Sequence, residues 1–110
     1  MELSVDAKKI IAESQQRKAL EELIDFVEEQ LKTPAIELSE LQWTVLINHL
    51  NEMLKRSENH EAIQEVDASM FNEVSEESLM IAKKVVDFIG QLPIDEMYVL
   101  SIHFEAAKNN

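Results

Sequence analysis

Residues 39–57 read SELQWTVLINHLNEMLKRS and carry the signals of one amphipathic helix. Ser39 is a favourable N-cap, and Gln42, three residues later, completes a capping box. Apolar side chains then recur with the period of an α-helix, at Leu46, Leu50, Met53 and Leu54. The stretch therefore predicts a helix with one apolar face that runs to about Ser57.

A second helix is predicted upstream, over residues 17–32. Its apolar side chains share one face: Leu20, Leu23, Phe26, Val27 and Leu31. Thr33 ends this helix because the residue before Pro34 avoids the helical region. Residues 4–16 are more polar and predict either a short helix capped by Ser4 or an N-terminal extension. We therefore set residues 1–16 apart from a helical domain at 17–110.

Two more helices are predicted downstream, after a polar connection over 57–74 whose one weak apolar turn predicts a short helix. The first covers residues 76–89, with Ser75 as its N-cap and Gly90 suited to a left-handed end. The last begins at Pro93, because a first helical turn tolerates proline, and ends near Lys108. No segment alternates as a strand does. The chain predicts an all-α fold, a compact bundle of about five helices, mostly antiparallel.

Composition and charge exclude several classes of function. The 110 residues include no cysteine, which rules out disulfides, thiol catalysis and cysteine-based metal sites and fits a cytoplasmic protein. No secretory signal and no membrane-length apolar run is present. The chain has 22 acidic and 10 basic residues, for a formal net charge of −12. Because such a charge repels phosphate groups, we expect no direct contact with nucleic acid or anionic membranes.

Specific chemistry in this chain depends on histidine. His60 lies between polar neighbours in the connection and is predicted to be a solvated surface residue. His49 and His103 lie inside predicted helices, each at the edge of its apolar stripe and on matching sides. They are either core-edge residues with hydrogen-bonded rings or acceptors of a phosphoryl group, since neutral imidazole is a nucleophile near pH 7. Neither helix offers a His-x-x-x-His or Glu-x-x-His pair on one face, so we predict no metal and no cofactor.

Two sequence motifs surround these histidines. Residues 48–56, NHLNEMLKR, place Arg56 seven residues after His49, and residues 92–103, LPIDEMYVLSIH, place His103 ten residues after Pro93. Over about residues 17–108 the chain resembles the phosphotransferase-system regulation domain, or PRD, as a single copy. The family commonly has Asp immediately before the first histidine, where this chain has Asn48.

The resemblance implies a five-helix bundle that often dimerises and is phosphorylated on histidine. It makes His49 and His103 candidate phosphorylation sites, with Arg56 and Glu96 as partners that hold or neutralise them. The implied phosphoryl donors are the phosphocarrier HPr and enzyme II sugar-transport subunits, and such domains regulate transcription or antitermination according to sugar supply. No basic or helix-turn-helix-like segment precedes residue 17, so we expect this chain to act through protein contacts. It is either a stand-alone protein, which we favour, or a fragment of a longer regulator.

Two functions follow from the sequence as hypotheses. The first is a regulatory domain phosphorylated by the sugar phosphotransferase system, which modulates transcription or antitermination. The second is a constitutive helical binding or dimerisation module that has lost phosphorylation, with Asn48 as its symptom. No phosphate loop, nucleophile elbow or supported carboxylate pair is present, so we do not expect an enzyme.

Overall fold

The computed structural model describes all 110 residues. Its regular elements are five α-helices and one 3₁₀ turn, and it has no strands. The helices are α1 (Val5–Glu13), α2 (Arg17–Lys32), α3 (Glu40–Asn59), α4 (Glu76–Ile89) and α5 (Glu96–Ala107), and the 3₁₀ turn is Ala68–Phe71. The prediction of an all-α bundle of about five helices is confirmed. None of the helices is long and apolar enough to cross a membrane.

Serine hydroxyls start three of these helices. Ser4, Ser39 and Ser75 each accept a hydrogen bond from the backbone N–H three residues later. The side chain of Gln42 accepts in return from the backbone N–H of Ser39, which forms the predicted capping box. These caps satisfy backbone donors that a helix start leaves without intrahelical partners.

Nineteen buried apolar side chains form the core, and all five helices contribute to it. Phe104 of α5 is the largest of the fully buried side chains, and Trp43 of α3 also lies in the core. The sequence left residues 4–16 open between a short helix and an extension. The structure forms the helix α1, and its Ala7 is fully buried in the core shared with residues 17–110.

The ends of three helices differ in detail from the sequence prediction. Helix α3 continues to Asn59 and stops at His60, which is exposed as predicted and adopts a left-handed conformation. Gly90 has φ 76° and ψ 166°, an extended conformation that is essentially restricted to glycine, instead of the left-handed helical one. Helix α5 begins at Glu96 instead of Pro93. The backbone N–H groups of Glu96 and Met97 donate to the carbonyl groups three residues earlier, as in a 3₁₀ turn, so a tighter turn precedes the α-helix.

Candidate functional site

Helices α3 and α5 run antiparallel, and two residue pairs with the same spacing join them. On α3, Arg56 follows His49 by seven residues, and on α5, Glu96 precedes His103 by seven. Seven residues are about two helical turns, so each pair lies on one face of its helix. His49 contacts His103, and Arg56 contacts Glu96, which requires the two helices to run in opposite directions.

The two histidine rings are hydrogen-bonded directly to each other. Nδ1 of His49 lies 2.9 Å from Nε2 of His103, and the ring planes are inclined by 51°. A neutral imidazole carries one N–H, so one ring donates this bond and the other accepts it. Neither ring makes another hydrogen bond, which leaves Nε2 of His49 and Nδ1 of His103 as the outer nitrogens of the pair.

Partial burial keeps both rings uncharged near neutral pH. Burial, together with the neighbouring His103 and Arg56, lowers the pKa of His49 to about 4. Burial also lowers the pKa of His103. Because a deprotonated imidazole nitrogen carries a free electron pair, the pair presents a nucleophile rather than a cation at pH 7.

Arg56 and Glu96 form a bidentate ion pair two helical turns away from the histidine pair. Nε of Arg56 donates to Oε2 of Glu96 over 2.9 Å, and Nη2 donates to Oε1 over 2.7 Å. Glu96 is fully buried, whereas 19% of the Arg56 side chain remains exposed. The family resemblance implied that these residues hold or neutralise the histidines. In the structure they bond to each other, and neither donates to or accepts from an imidazole ring. Arg56 acts on His49 through its charge, which helps to lower the pKa of that ring.

Asn48 is the one predicted site residue that stays apart from the others. Its side chain is exposed and makes no hydrogen bond to either imidazole ring. His60, which the sequence placed on the surface, lies at the end of α3 and does not join the pair. The structure therefore brings four of the five predicted residues together, and their functional role stays a prediction. No group of three or more metal-ligating side chains gathers in the chain.

A polar cluster that the sequence did not reveal joins the end of α5 to the start of α4. Glu105 accepts hydrogen bonds from the backbone N–H and hydroxyl of Ser75 and from the hydroxyl of Ser78. These bonds, led by that from the Ser75 side chain, lower the pKa of Glu105 to about 2. Ser75 was recognisable as a cap, but no local signal identifies a partner 30 residues away.

The fold and the facing imidazoles define a helical domain built around a histidine pair. The PRD domain family model matches residues 8–107. The chain is also similar to a PRD-containing transcription regulator from Lactobacillus casei ATCC 334 whose crystal structure is known. The two share 44% identity and a TM-score of 0.94, over 99% of this chain and 97% of that chain. Comparison with curated protein sequences gave no significant match.

The chain belongs to the PRD domain family. The resemblance inferred from the two histidine motifs is thereby confirmed. Membership supports a regulatory domain of the phosphotransferase-system type, with a regulatory rather than an enzymatic role.

Proposed function

We propose that this domain is a cytoplasmic regulator that the sugar phosphotransferase system phosphorylates on His49, His103 or both. In this proposal, it modulates transcription or antitermination through contacts with other proteins. The observation that carries the proposal is the pair of neutral, half-buried imidazoles joined over 2.9 Å between α3 and α5. The similar transcription regulator supports the class of output.

The chemistry needs only a nucleophilic nitrogen in this domain. The electron pair of an imidazole nitrogen attacks the phosphorus atom of the donor, and the bond between phosphorus and the donor breaks. The domain need not catalyse this step, because HPr or an enzyme II subunit would bring its own transfer site.

The consequence of phosphorylation is electrostatic. A phosphoryl group adds nearly two negative charges at the boundary between α3 and α5. Arg56, the cation whose charge acts on His49, is already paired with the buried Glu96, so it is not free to pair with the new charge. Added charge at a helix-packing boundary changes which surfaces can pack against it, and this is the basis of a switch.

A second copy of the chain is the contact that we expect phosphorylation to change. Val45, one turn before His49 on α3, is 50% exposed, and Ile102, next to His103 on α5, is 49% exposed. Apolar side chains beside the histidine pair favour an interface whose core would lie against the rings. The proposal therefore includes a homodimer formed through the α3–α5 face.

The phosphorylation itself is tested by transfer from phosphorylated HPr and from phosphorylated enzyme II subunits, followed by mass spectrometry at neutral pH. We expect an acid-labile phosphoryl group on peptides that contain His49 or His103, and its loss in the His49→Ala, His103→Ala double variant. The His60→Asn variant is the matched control and should be labelled like the wild type. Absence of label at both positions with every donor would overturn the proposal.

The alternative function, a constitutive binding module, is favoured by Asn48 where the family commonly has Asp. In this structure Asn48 is exposed and makes no contact by hydrogen bond with the rings, so its presence leaves their mutual bond intact. This alternative requires that His49→Ala and His103→Ala leave partner binding and its response to donor unchanged. A response that disappears in either folded variant contradicts it.

A further inference from the structure

The hydrogen bond between the two rings limits how many nucleophilic nitrogens the pair presents. Two neutral imidazoles carry two protons on four nitrogens, and one of these protons lies between Nδ1 of His49 and Nε2 of His103. If His49 donates, its outer Nε2 has a free electron pair and His103 is protonated on its outer Nδ1. If His103 donates, the assignment is reversed. In both arrangements, one outer nitrogen is a nucleophile and the other is not.

The two inner nitrogens are blocked as acceptors. They lie 2.9 Å apart, which is hydrogen-bond distance and leaves no room for a phosphorus atom with three oxygens between them. A phosphoryl group on either inner nitrogen would require the rings to separate. Each ring therefore has only its outer nitrogen available while the pair is intact.

On the basis of the proposed phosphorylation, we propose that the two rings act as a single phosphoryl acceptor. The pair takes one phosphoryl group at a time, on Nε2 of His49 or on Nδ1 of His103. The ring that is not phosphorylated serves as a positioning residue. It accepts the hydrogen bond from the inner N–H of its neighbour, which keeps that proton on the inner nitrogen and leaves the neighbour's outer nitrogen with a free electron pair.

The transfer step balances without another reactant. The outer nitrogen uses its electron pair to form the nitrogen–phosphorus bond, and the donor leaves with the electrons of its own bond to phosphorus. The phosphorylated ring keeps its inner N–H and is therefore an imidazolium, whose positive charge is offset by the attached phosphoryl group, and it continues to donate that N–H to the other ring. While this N–H is retained, the other ring accepts on its inner nitrogen and carries its proton on its outer nitrogen, so no second outer electron pair appears.

Charge acts in the same direction as the hydrogen bond. The ring centroids are 5.0 Å apart, so phosphoryl groups on both outer nitrogens, although farther apart than the centroids, would add nearly four negative charges to one boundary between α3 and α5. The nearby Arg56 is already bonded to Glu96, and the chain has a formal net charge of −12. No uncommitted cation at the pair offsets a second group.

Phosphoramidate tests this inference, because it is a small donor that phosphorylates histidine without a carrier protein. Its phosphorus–nitrogen bond breaks and ammonia leaves. The His60→Asn variant is treated under native conditions, so that only the pair can react, while exposed His60 in the wild type shows that the reagent is active. Asn is chosen because it tolerates the left-handed conformation of residue 60. Intact mass at neutral pH gives the number of phosphoryl groups, and isomer-specific antibodies identify the nitrogen.

We expect the folded His60→Asn chain to stop at one phosphoryl group, with the Nε2 isomer on His49 or the Nδ1 isomer on His103. Adding His49→Ala frees the inner Nε2 of His103, so the Nε2 isomer should then appear on His103. Circular dichroism confirms that each variant is folded.

Three results would overturn the inference: two phosphoryl groups on the folded chain, the Nε2 isomer on His103 while His49 is present, or no reaction at the pair while His60 reacts. Failure of the proposed function looks different. In that case HPr and enzyme II subunits transfer nothing, yet phosphoramidate still adds one group to the pair.

Discussion

Arg56 of α3 and Glu96 of α5 form a bidentate ion pair, which lies seven residues along each helix from the contact between His49 and His103. The ion pair and the histidine pair thus lie two helical turns apart along the same antiparallel contact. Because a planar guanidinium fits a carboxylate in few orientations, the ion pair restricts how α3 can slide or rotate against α5. It thereby helps to hold the two imidazole rings at hydrogen-bond distance.

Removing Arg56 should strongly destabilise the domain. Arg56→Ala leaves the carboxylate of Glu96 fully buried without its cation, and breaking a buried pair in this way lowers the free energy of unfolding by about 3–5 kcal/mol. Urea denaturation followed by circular dichroism measures the change. Lys55→Ala is the matched control, since its ion pair with Glu52 is about half exposed and its loss should change stability by about 0.5 kcal/mol or less. Similar effects of the two variants would contradict the prediction.

The free energy of unfolding should decrease on mild acidification, because His49 takes up a proton more readily in the unfolded chain than in the folded one. The pKa of His49 is about 4 in the folded chain, against an ordinary value of 6.5, so the unfolded chain binds more protons between these values. The free energy of unfolding is then greatest above pH 6.5 and decreases as the pH falls towards 4. We expect this group to contribute a decrease on the order of 1–3 kcal/mol.

Denaturation of the wild type and of His49→Asn at a series of pH values isolates this contribution, because the carboxylates titrate in both chains. The difference in stability between the two should shrink as the pH falls from 6.5 to 4. His60→Asn is the control variant, since His60 is exposed and lies outside the histidine pair. A constant difference between wild type and His49→Asn would show that His49 is not held neutral by the fold.

Two adjacent residues with positive φ between α4 and α5, Gly90 and Gln91, should respond differently to substitution. Gly90 has φ 76° and ψ 166°, which any side chain makes strained even though a Cβ there meets nothing within 4 Å. Gly90→Ala should therefore destabilise by about 1–3 kcal/mol. Gln91, with φ 59°, is in the left-handed region, so Gln91→Gly should be neutral or slightly stabilising. Thermal unfolding checks both, and a harmless Gly90→Ala would contradict the backbone assignment.

Charge placed beside the histidine pair should dissociate the proposed homodimer. Val45→Glu adds an acidic side chain one turn from His49, on a surface that is exposed in the single chain. We expect the variant to be monomeric by light scattering at concentrations where the wild type is dimeric. Val5→Glu is the matched control, because Val5 is 81% exposed on α1. Equal dimerisation of Val45→Glu and wild type would place the interface elsewhere.

The sequence by itself determined most of the helices and the identity of the two central histidines. Ser39 and Ser75 mark helix starts because a cap needs only a hydroxyl and a backbone N–H three residues away, both of which are local. Apolar spacing around Leu50 and Phe104 gave the buried faces for a similar reason, since a helix brings every third or fourth residue to one side.

The tertiary structure decided which of these residues meet. The family resemblance implied that Arg56 and Glu96 hold or neutralise the histidines. With α3 packed antiparallel on α5, Arg56 instead bonds to Glu96, and His49 bonds to His103. These partners are 40 and 54 residues apart in the chain. Their pairing depends on the direction and register of two packed helices, and the lowered pKa of His49 depends on the burial that this packing creates. No local sequence pattern determines the pairing of these residues or the pKa of His49, because both arise only when separate segments pack into one core.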